Sequence, residues 1–300
     1  SVVGSYGAIA IGADSLPVVS YWDGTAGALK VAKCINVACT GASTITTVDD
    51  PANSVGAWTS IAIGSDTFPV ISYYDITAGM LKVAKCINFA CTGVATITSV
   101  DTASISGRYT SIAVAADGRP VISYSSGISD SLKVAKCSNA ACTGAATITI
   151  VDDPGDAVGE HNSIKIGSDG FPVISYLNSS AGDLKVAKCA NAACTGVSTI
   201  TNVDSGASYV GTFTSIAIGG DGRPIVSYWD GTAGALRVAK CANAACTGTA
   251  LITTLDDQVE VVGQYSSIAV GSDGLPVISY FSNGGGGSLK VAKCAAANCQ

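Results

Sequence analysis

One histidine, one methionine and two glutamates are all that 300 residues supply of these types. His161 stands in "GEHNS" beside Glu160, and a histidine next to a carboxylate invites a general-base role. Neighbouring residues of an extended segment point apart, and no serine or cysteine nucleophile accompanies the pair, so no catalysis is expected there. Charge is sparse as well, at 13% of residues with a net charge of −6. Neutralising phosphates takes clustered Lys and Arg, so nucleic acid is excluded as the main partner. No apolar run reaches the roughly 18 residues of a membrane helix, which excludes a helical membrane span. The first residues, "SVVGSYG", lack a basic start and an apolar h-region. The sequence is therefore read as a mature form without its signal peptide.

Cysteine, in contrast, is abundant and regular. Pairs recur as Cys34 with Cys39, Cys86 with Cys91, Cys137 with Cys142, Cys189 with Cys194, Cys241 with Cys246 and Cys294 with Cys299, about 52 residues apart, and use all 12 cysteines. The surrounding text repeats with them, from "SIAIGSDTFPVISYYD" at Ser60 to "SIAVGSDGLPVISYF" at Ser267. A period near 50 points to a propeller or a solenoid.

Each repeat reads as four strands: "SIAIG", "PVISYYD", "LKVAKC" and "TITTVD". Turn signals separate them, and Pro17, Pro69, Pro120, Pro172, Pro224 and Pro276 each open a second strand, where a missing N–H costs little. Six four-stranded antiparallel units predict an all-β, six-bladed β-propeller forming one domain over 1–300, with repeats 5–56, 57–107, 108–159, 160–211, 212–263 and 264–300. A right-handed β-solenoid is the alternative. Gln300 follows Cys299 directly, and "SVVGSYG" aligns with "EVVGQYS" at Glu260, so the last blade is expected to lack its outer strand.

The stretch Ser60 to Lys85, "SIAIGSDTFPVISYYDITAGMLKVAK", resembles the repeat of secreted bacterial and archaeal propellers that read S-I-A-x-D-x-x-G-x-P-x-I-S-Y-Y-D, then G-x-L-K-Y-A. The resemblance spans essentially the whole chain and implies the propeller fold. It extends to the Asp-box of sialidases, S-x-D-x-G-x-x-W, which Ser272, Asp273 and Gly274 echo with the aromatic displaced.

Two cysteines separated by four residues can close a ring across a hairpin loop if their Cα atoms come within about 4.4–6.8 Å. Zinc is the competing reading, but each pair offers two ligands and one histidine cannot complete six sites. Six local disulfides are expected, and they place the protein outside the reducing cytosol, extracellular or at a cell surface. Asp14, Asp66, Asp117, Asp169, Asp221 and Asp273 occur once per blade and raise the question of calcium. An Asx-turn explains them without metal, and no metal or cofactor is assigned. Lys33, Lys85, Lys136, Lys188, Lys240 and Lys293 are expected to neutralise the aspartates that end the fourth strands, or to snorkel at a blade edge.

On the face where blades differ, one position runs Tyr6, Trp58, Tyr109, His161, Phe213, Tyr265, and Trp22-Asp23, Tyr74-Asp75, Asn178 and Trp229-Asp230 stand after the second strands. Aromatic planes beside carboxylates or amides suit sugar rings. The candidate ligand-binding set is accordingly Trp22, Asp23, Trp58, Tyr74, Asp75, Tyr109, His161, Asn178, Trp229, Asp230 and Tyr265, against a plain packing role for the same rings. A sialidase-like site needs an arginine triad and a Tyr–Glu pair, and only Arg108, Arg119, Arg223 and Arg237 are present. The sequence thus predicts a chain that is not an enzyme and binds a glycan or cell-surface ligand. Alternatives are a structural subunit that self-associates by strand donation at the sixth blade, and, third, a sialidase-like hydrolase.

Overall fold

The computed structural model describes residues 2–50, 54–127, 131–205, 209–258 and 260–300. Its strands form six small antiparallel sheets, five of four strands and a last one of three, the blades of a six-bladed β-propeller. First strands are Val3–Ile11, Val55–Ile63, Ser106–Val114, Val158–Ile166, Val210–Ile218 and Val262–Val270. Second strands are Pro17–Asp23, Pro69–Asp75, Pro120–Ser126, Pro172–Asn178, Pro224–Asp230 and Pro276–Ser282. Third strands all end on the lysine before the cysteine loop: Ala28–Lys33, Met80–Lys85, Ser131–Lys136, Asp183–Lys188, Ala235–Lys240 and Ser288–Lys293. Fourth strands are Thr44–Asp49, Thr96–Asp101, Thr147–Asp152, Thr199–Asp204 and Leu251–Asp256, and the sheet of the sixth blade ends at its third strand.

The prolines open second strands because they lose only a donor there. Each still accepts a ladder bond, as when the Cys34 N–H donates to the Pro17 carbonyl at 3.0 Å and the Cys86 N–H to Pro69 at 3.0 Å. The first hairpin turn closes through Gly12 N–H to Leu16 O at 2.9 Å, and Asp14 Oδ1 accepts the Leu16 N–H at 3.1 Å, an Asx-turn.

The lysines behave differently from the expectation. Lys33 donates to Asp14 Oδ1 at 2.8 Å, Lys85 to Asp66 at 2.7 Å, Lys136 to Asp117 at 2.8 Å, Lys188 to Asp169 at 2.7 Å and Lys240 to Asp221 at 2.8 Å, and Lys293 bonds Asp273. They neutralise the hairpin-turn aspartates of their own blade, not the aspartates that end the fourth strands. A lysine at the end of the third strand lies beside the turn that opens the second, so the near carboxylate wins. Each of these hairpin carboxylates holds a lysine, and among the described residues no group of three His, Cys, Asp or Glu could hold a metal.

All six cysteine pairs are disulfides. Cys34 bonds Cys39, Cys86 bonds Cys91, Cys137 bonds Cys142, Cys189 bonds Cys194, Cys241 bonds Cys246 and Cys294 bonds Cys299, with Cα–Cα distances of 4.7–4.9 Å. The spacing alone does not show how so short a loop turns back. The second cysteine of each pair supplies the turn with a left-handed backbone: φ is 52° at Cys39, 52° at Cys91, 57° at Cys142, 55° at Cys194, 56° at Cys246 and 58° at Cys299. In five of the loops an asparagine that the sequence analysis does not single out organises the chain: Asn36 Oδ1 accepts the Ala38 and Thr40 N–H groups, both at 3.1 Å. The sixth loop has Ala296 at that position.

By contacts the chain divides into two compact units, Ser1–Ser129 with Lys133–Thr149, and Asp130–Leu132 with Ile150–Gln300. In the first, the interface of blades one and two buries Val18, Leu29, Val31, Val55, Ile61 and Ile71, and that of blades two and three buries Val70, Leu81, Val83, Ile112 and Ile122. The second unit repeats this with Leu184, Val186, Val210, Ile216 and Val226, then Leu236, Val238, Val262, Ile268 and Ile278. Burial of this branched aliphatic face contributes about 1.5–3 kcal/mol per side chain. The second-strand tyrosines Tyr73, Tyr124, Tyr176 and Tyr228 are fully buried.

Candidate functional site

Each first strand breaks register with its second strand just where the candidate aromatics sit. In blade one Ser5 faces Trp22 and Ala8 faces Ser20, so two residues of the first strand oppose one of the second, a β-bulge. The same shift lies between Ala57 and Ser60 and between Thr212 and Ser215. The first bulged residue takes a left-handed backbone: φ is 55° at Tyr6, 48° at Trp58, 52° at Tyr109, 50° at His161, 53° at Phe213 and 53° at Tyr265. Such a conformation costs a non-glycine residue on the order of 1–3 kcal/mol and concentrates at functional sites. The bulge turns these rings out of the alternation of the strand and toward one another.

In the first unit this brings Tyr6, Trp58 and Tyr109 into a row with ring centroids 5.2 and 5.1 Å apart. Trp22 joins Tyr6 at 5.9 Å, and Tyr74 meets Trp58 edge-on at 5.5 Å. Arg108, absent from the sequence-derived set, places its guanidinium 5.4 Å from the Trp58 ring and 5.6 Å from the Tyr109 ring. No carboxylate lies within ion-pair distance of it among the described residues. Its neighbour across the strands is Ser125, where blades one and two have Trp22 and Tyr74. The signal in the sequence was an arginine in the variable residue before the aromatic, opposite a small second-strand residue.

The second unit has its own row. His161 and Phe213 are 4.5 Å apart, Phe213 and Tyr265 4.2 Å, with Trp229 at 6.2 Å from Phe213 and Phe281 at 6.4 Å from Tyr265. Burial depresses the His161 imidazole to about 4, so it is neutral at pH 7. Glu160 leans the other way and accepts the Ser179 hydroxyl at 2.8 Å. The indole Nε1 groups of Trp22 and Trp229 are buried without a hydrogen-bond partner among the described residues.

The acceptors of the candidate set are occupied by the fold. Asp23 takes Lys30 at 2.6 Å and the Thr25 and Ala26 N–H groups, and the Lys30 ammonium foremost holds its carboxyl below the usual carboxylate range. Asp75 bonds Lys82 at 2.7 Å and the Ala78 N–H at 2.8 Å, and Asp230 bonds Arg237 at 2.9 Å and the Thr232 N–H at 2.9 Å. Asn178 caps its turn through the Ala181 N–H at 3.1 Å. The structure therefore groups Tyr6, Trp58 and Tyr109 with Arg108, sets His161 and Tyr265 in a second row of their own, and commits these four polar side chains to turns and ion pairs.

No family model and no curated protein matches the sequence. Solved structures do match its fold. A protein of unknown function from Dyadobacter fermentans superposes with a TM-score of 0.67 at 11% identity, over 97% of this chain and 93% of that one. The α-L-arabinofuranosidase Arb93A of Fusarium graminearum gives 0.64 at 11% identity over 97% and 92%. A polysaccharide lyase of family PL25, an ulvan lyase solved with -[GlcA(1-4)Rha3S]- bound, gives 0.65 at 8% identity over 96% and 78%.

These neighbours correct the expectation that the chain is not an enzyme. The same propeller architecture carries a glycosidase and a lyase, neither of them a sialidase. A shortage of arginine and glutamate excludes one catalytic plan, the carboxylate-gripping triad, and leaves glycan chemistry by other side chains open to this fold.

Proposed function

We propose that the protein is an extracellular glycan-active propeller that takes an acidic saccharide on the Tyr6–Trp58–Tyr109 row, with Arg108 as the partner of its carboxylate or sulfate. The observation that carries this is Arg108, a guanidinium lying over two aromatic planes with no carboxylate within ion-pair distance among the described residues. Flat rings provide stacking for the apolar faces of a sugar, and a guanidinium matches a carboxylate or sulfate by paired hydrogen bonds. The strained backbone under each ring supports a ligand site, since packing alone does not require a left-handed tryptophan. Structural neighbours that include an arabinofuranosidase and an ulvan lyase support a glycan-related role. Six disulfides, with no helix among the described residues long and apolar enough to cross a membrane, fit a soluble extracellular protein.

Calorimetric titration with oligoglucuronate and with a neutral arabino-oligosaccharide tests the reading. Arg108→Ala is expected to weaken oligoglucuronate binding tenfold or more, the loss of one charge-assisted bond of about 1.5–3 kcal/mol, and Trp58→Ala to weaken both ligands. The same mixtures are assayed for new reducing ends and for the ultraviolet absorbance of an unsaturated uronate, which separates hydrolysis from elimination. Equal binding of oligoglucuronate by the wild type and Arg108→Ala overturns the assignment.

A further inference from the structure

The lysines of this chain are held by aspartates, with one exception. The six that end the third strands grip the carboxylates of their hairpins. Inside the third strands, Lys30 and Lys82 bond Asp23 and Asp75 at 2.6 and 2.7 Å, and Lys133, Lys185 and Lys290 reach Asp101, Asp152 and Asp256 at 3.7, 2.9 and 3.3 Å. Lys165 is the lysine that remains. No carboxylate lies within ion-pair distance of it among the described residues.

The register explains why. Lys165 stands in the first strand of blade four opposite Val173, a ladder position held by Ala10, Ala62, Ala113, Ala217 and Ala269 in the other blades. Ser163, two residues earlier on the same side of the strand, accepts the Ile216 N–H at 3.2 Å, so this side faces the first strand of blade five, in the same unit. Neither that strand, Val210–Ile218, nor the paired second strand, Pro172–Asn178, contains an aspartate or glutamate. Glu160, at the far end of the strand that carries Lys165, is bonded to Ser179. A column that elsewhere holds a methyl group has been given an amine and no counter-ion. Lys165 is open to solvent. The protein around it nevertheless desolvates its ammonium and lowers the pKa from the ordinary lysine value.

We propose that Lys165 is a nucleophilic amine site that takes a small aldehyde as an imine. An ammonium clamped by a carboxylate keeps its proton and has no lone pair to give. A lysine without a counter-ion and short of water releases that proton more readily, which is the condition of Schiff-base lysines. The nitrogen lone pair adds to the carbonyl carbon, the oxygen takes up the proton that nitrogen loses, and the carbinolamine expels water to leave a C=N bond. One amine and one aldehyde give one imine and one water, with no change of oxidation state. An aldehyde suits the site because it needs no leaving group and no acidic side chain to activate it, and the two neighbouring strands supply none.

Glycolaldehyde with cyanoborohydride at pH 7, which traps the imine as a secondary amine, tests this when followed by peptide mapping. Lys165 is expected to be alkylated roughly tenfold faster, or more, than any other lysine. Lys293 is the control for access, its side chain 56% exposed but bonded to Asp273. Equal rates at Lys165 and Lys293 would mean that exposure alone decides, and overturn the proposal. Lys165→Ala gives blade four the residue of the five other first strands, so it is expected to keep the fold, with near-ultraviolet circular dichroism as the check. In that variant the fast lysine label is expected to vanish while the other lysines react as before. A label as fast at another lysine of the variant overturns the assignment. Labelling needs no saccharide, so this amine and the Arg108 site stand or fall separately.

Discussion

Tyr73 donates its hydroxyl to Asp49 Oδ2 at 2.6 Å, from the second strand of one blade to the end of the fourth strand of the blade before it. The pattern recurs as Tyr124 with Asp101, Tyr176 with Asp152, Tyr228 with Asp204 and Tyr280 with Asp256, at 2.6–2.8 Å. Burial, then the charge of Asp49, pushes the Tyr73 phenol well above its ordinary value. It remains a donor at every pH the protein meets. Tyr73→Phe keeps the ring and removes the bond, leaving a shielded carboxylate short of a partner. The expected loss is about 1–3 kcal/mol in urea unfolding, and a loss indistinguishable from that of Tyr6→Phe would show that the ring alone does the stitching.

The flat contact of Gly107 on Leu81 makes a second prediction. Gly107→Ala sets a methyl 2.7 Å from the Leu81 Cα, at a φ of 109° that L-residues avoid. Neither backbone can yield cheaply, and destabilisation of roughly 2–5 kcal/mol is expected. Gly170→Ala, at a φ of 81° in a hairpin turn where a Cβ would meet nothing within 4 Å, carries the backbone strain without the clash and should cost clearly less. Equal thermal shifts for the two variants would refute the close approach.

Acid should act through the lysine-bound hairpin aspartates. At Asp14 the Lys33 bond foremost lowers the pKa from 3.8, and at Asp273 the Lys293 bond does so. At Asp117, Asp169 and Asp221 burial opposes ionisation, but the lysine bond, a backbone N–H and the lysine charge together still leave the pKa lowered. A carboxyl that binds its proton less readily when folded stabilises the fold above its unfolded pKa, and that contribution disappears as the pH falls through the folded value. These groups are therefore expected to add a decline in Tm that begins near pH 3.8 and steepens below it. Thermal scans of the wild type and Asp117→Asn test this, the variant losing part of the acid slope; parallel profiles down to about pH 2 would count against it.

Much of the fold was legible because its signals are local and recur six times. The period near 52 residues, the proline at the head of each second strand, the cysteine spacing and the absent last outer strand can all be read along one line of text. What escaped depends on relations between lines. The bulge that turns Trp58 is a mismatch of register between two strands, which neither strand states alone. Lys85 precedes a cysteine in sequence, but its choice of Asp66 is set by a hairpin two turns away. Asn88 organises the loop between Cys86 and Cys91 from inside, through Thr92 N–H at 3.0 Å, and looks in sequence like an ordinary loop polar residue. At the candidate site the rings were legible as a variable aromatic column. Arg108 escapes a reading that weighs arginines only as members of a triad. The acidic and amide side chains read as ligand acceptors because their residue type suits both jobs, and only geometry shows Asp75 and Asn178 turned inward to their own loops.

The pairing of Lys33 with Asp14, and of each later lysine with the aspartate of its own hairpin, has a bearing on ancestry. Each such repeat carries its cation, its anion, its disulfide and its proline together, and asks of the repeat before it only an aspartate and a leucine. A tandem duplication of one repeat therefore inserts a module whose charges are already balanced and whose two faces already fit. Growth or shrinkage of the array by whole repeats keeps every such lysine with its aspartate, whereas a duplication out of frame with the repeating unit would strand a lysine from its aspartate.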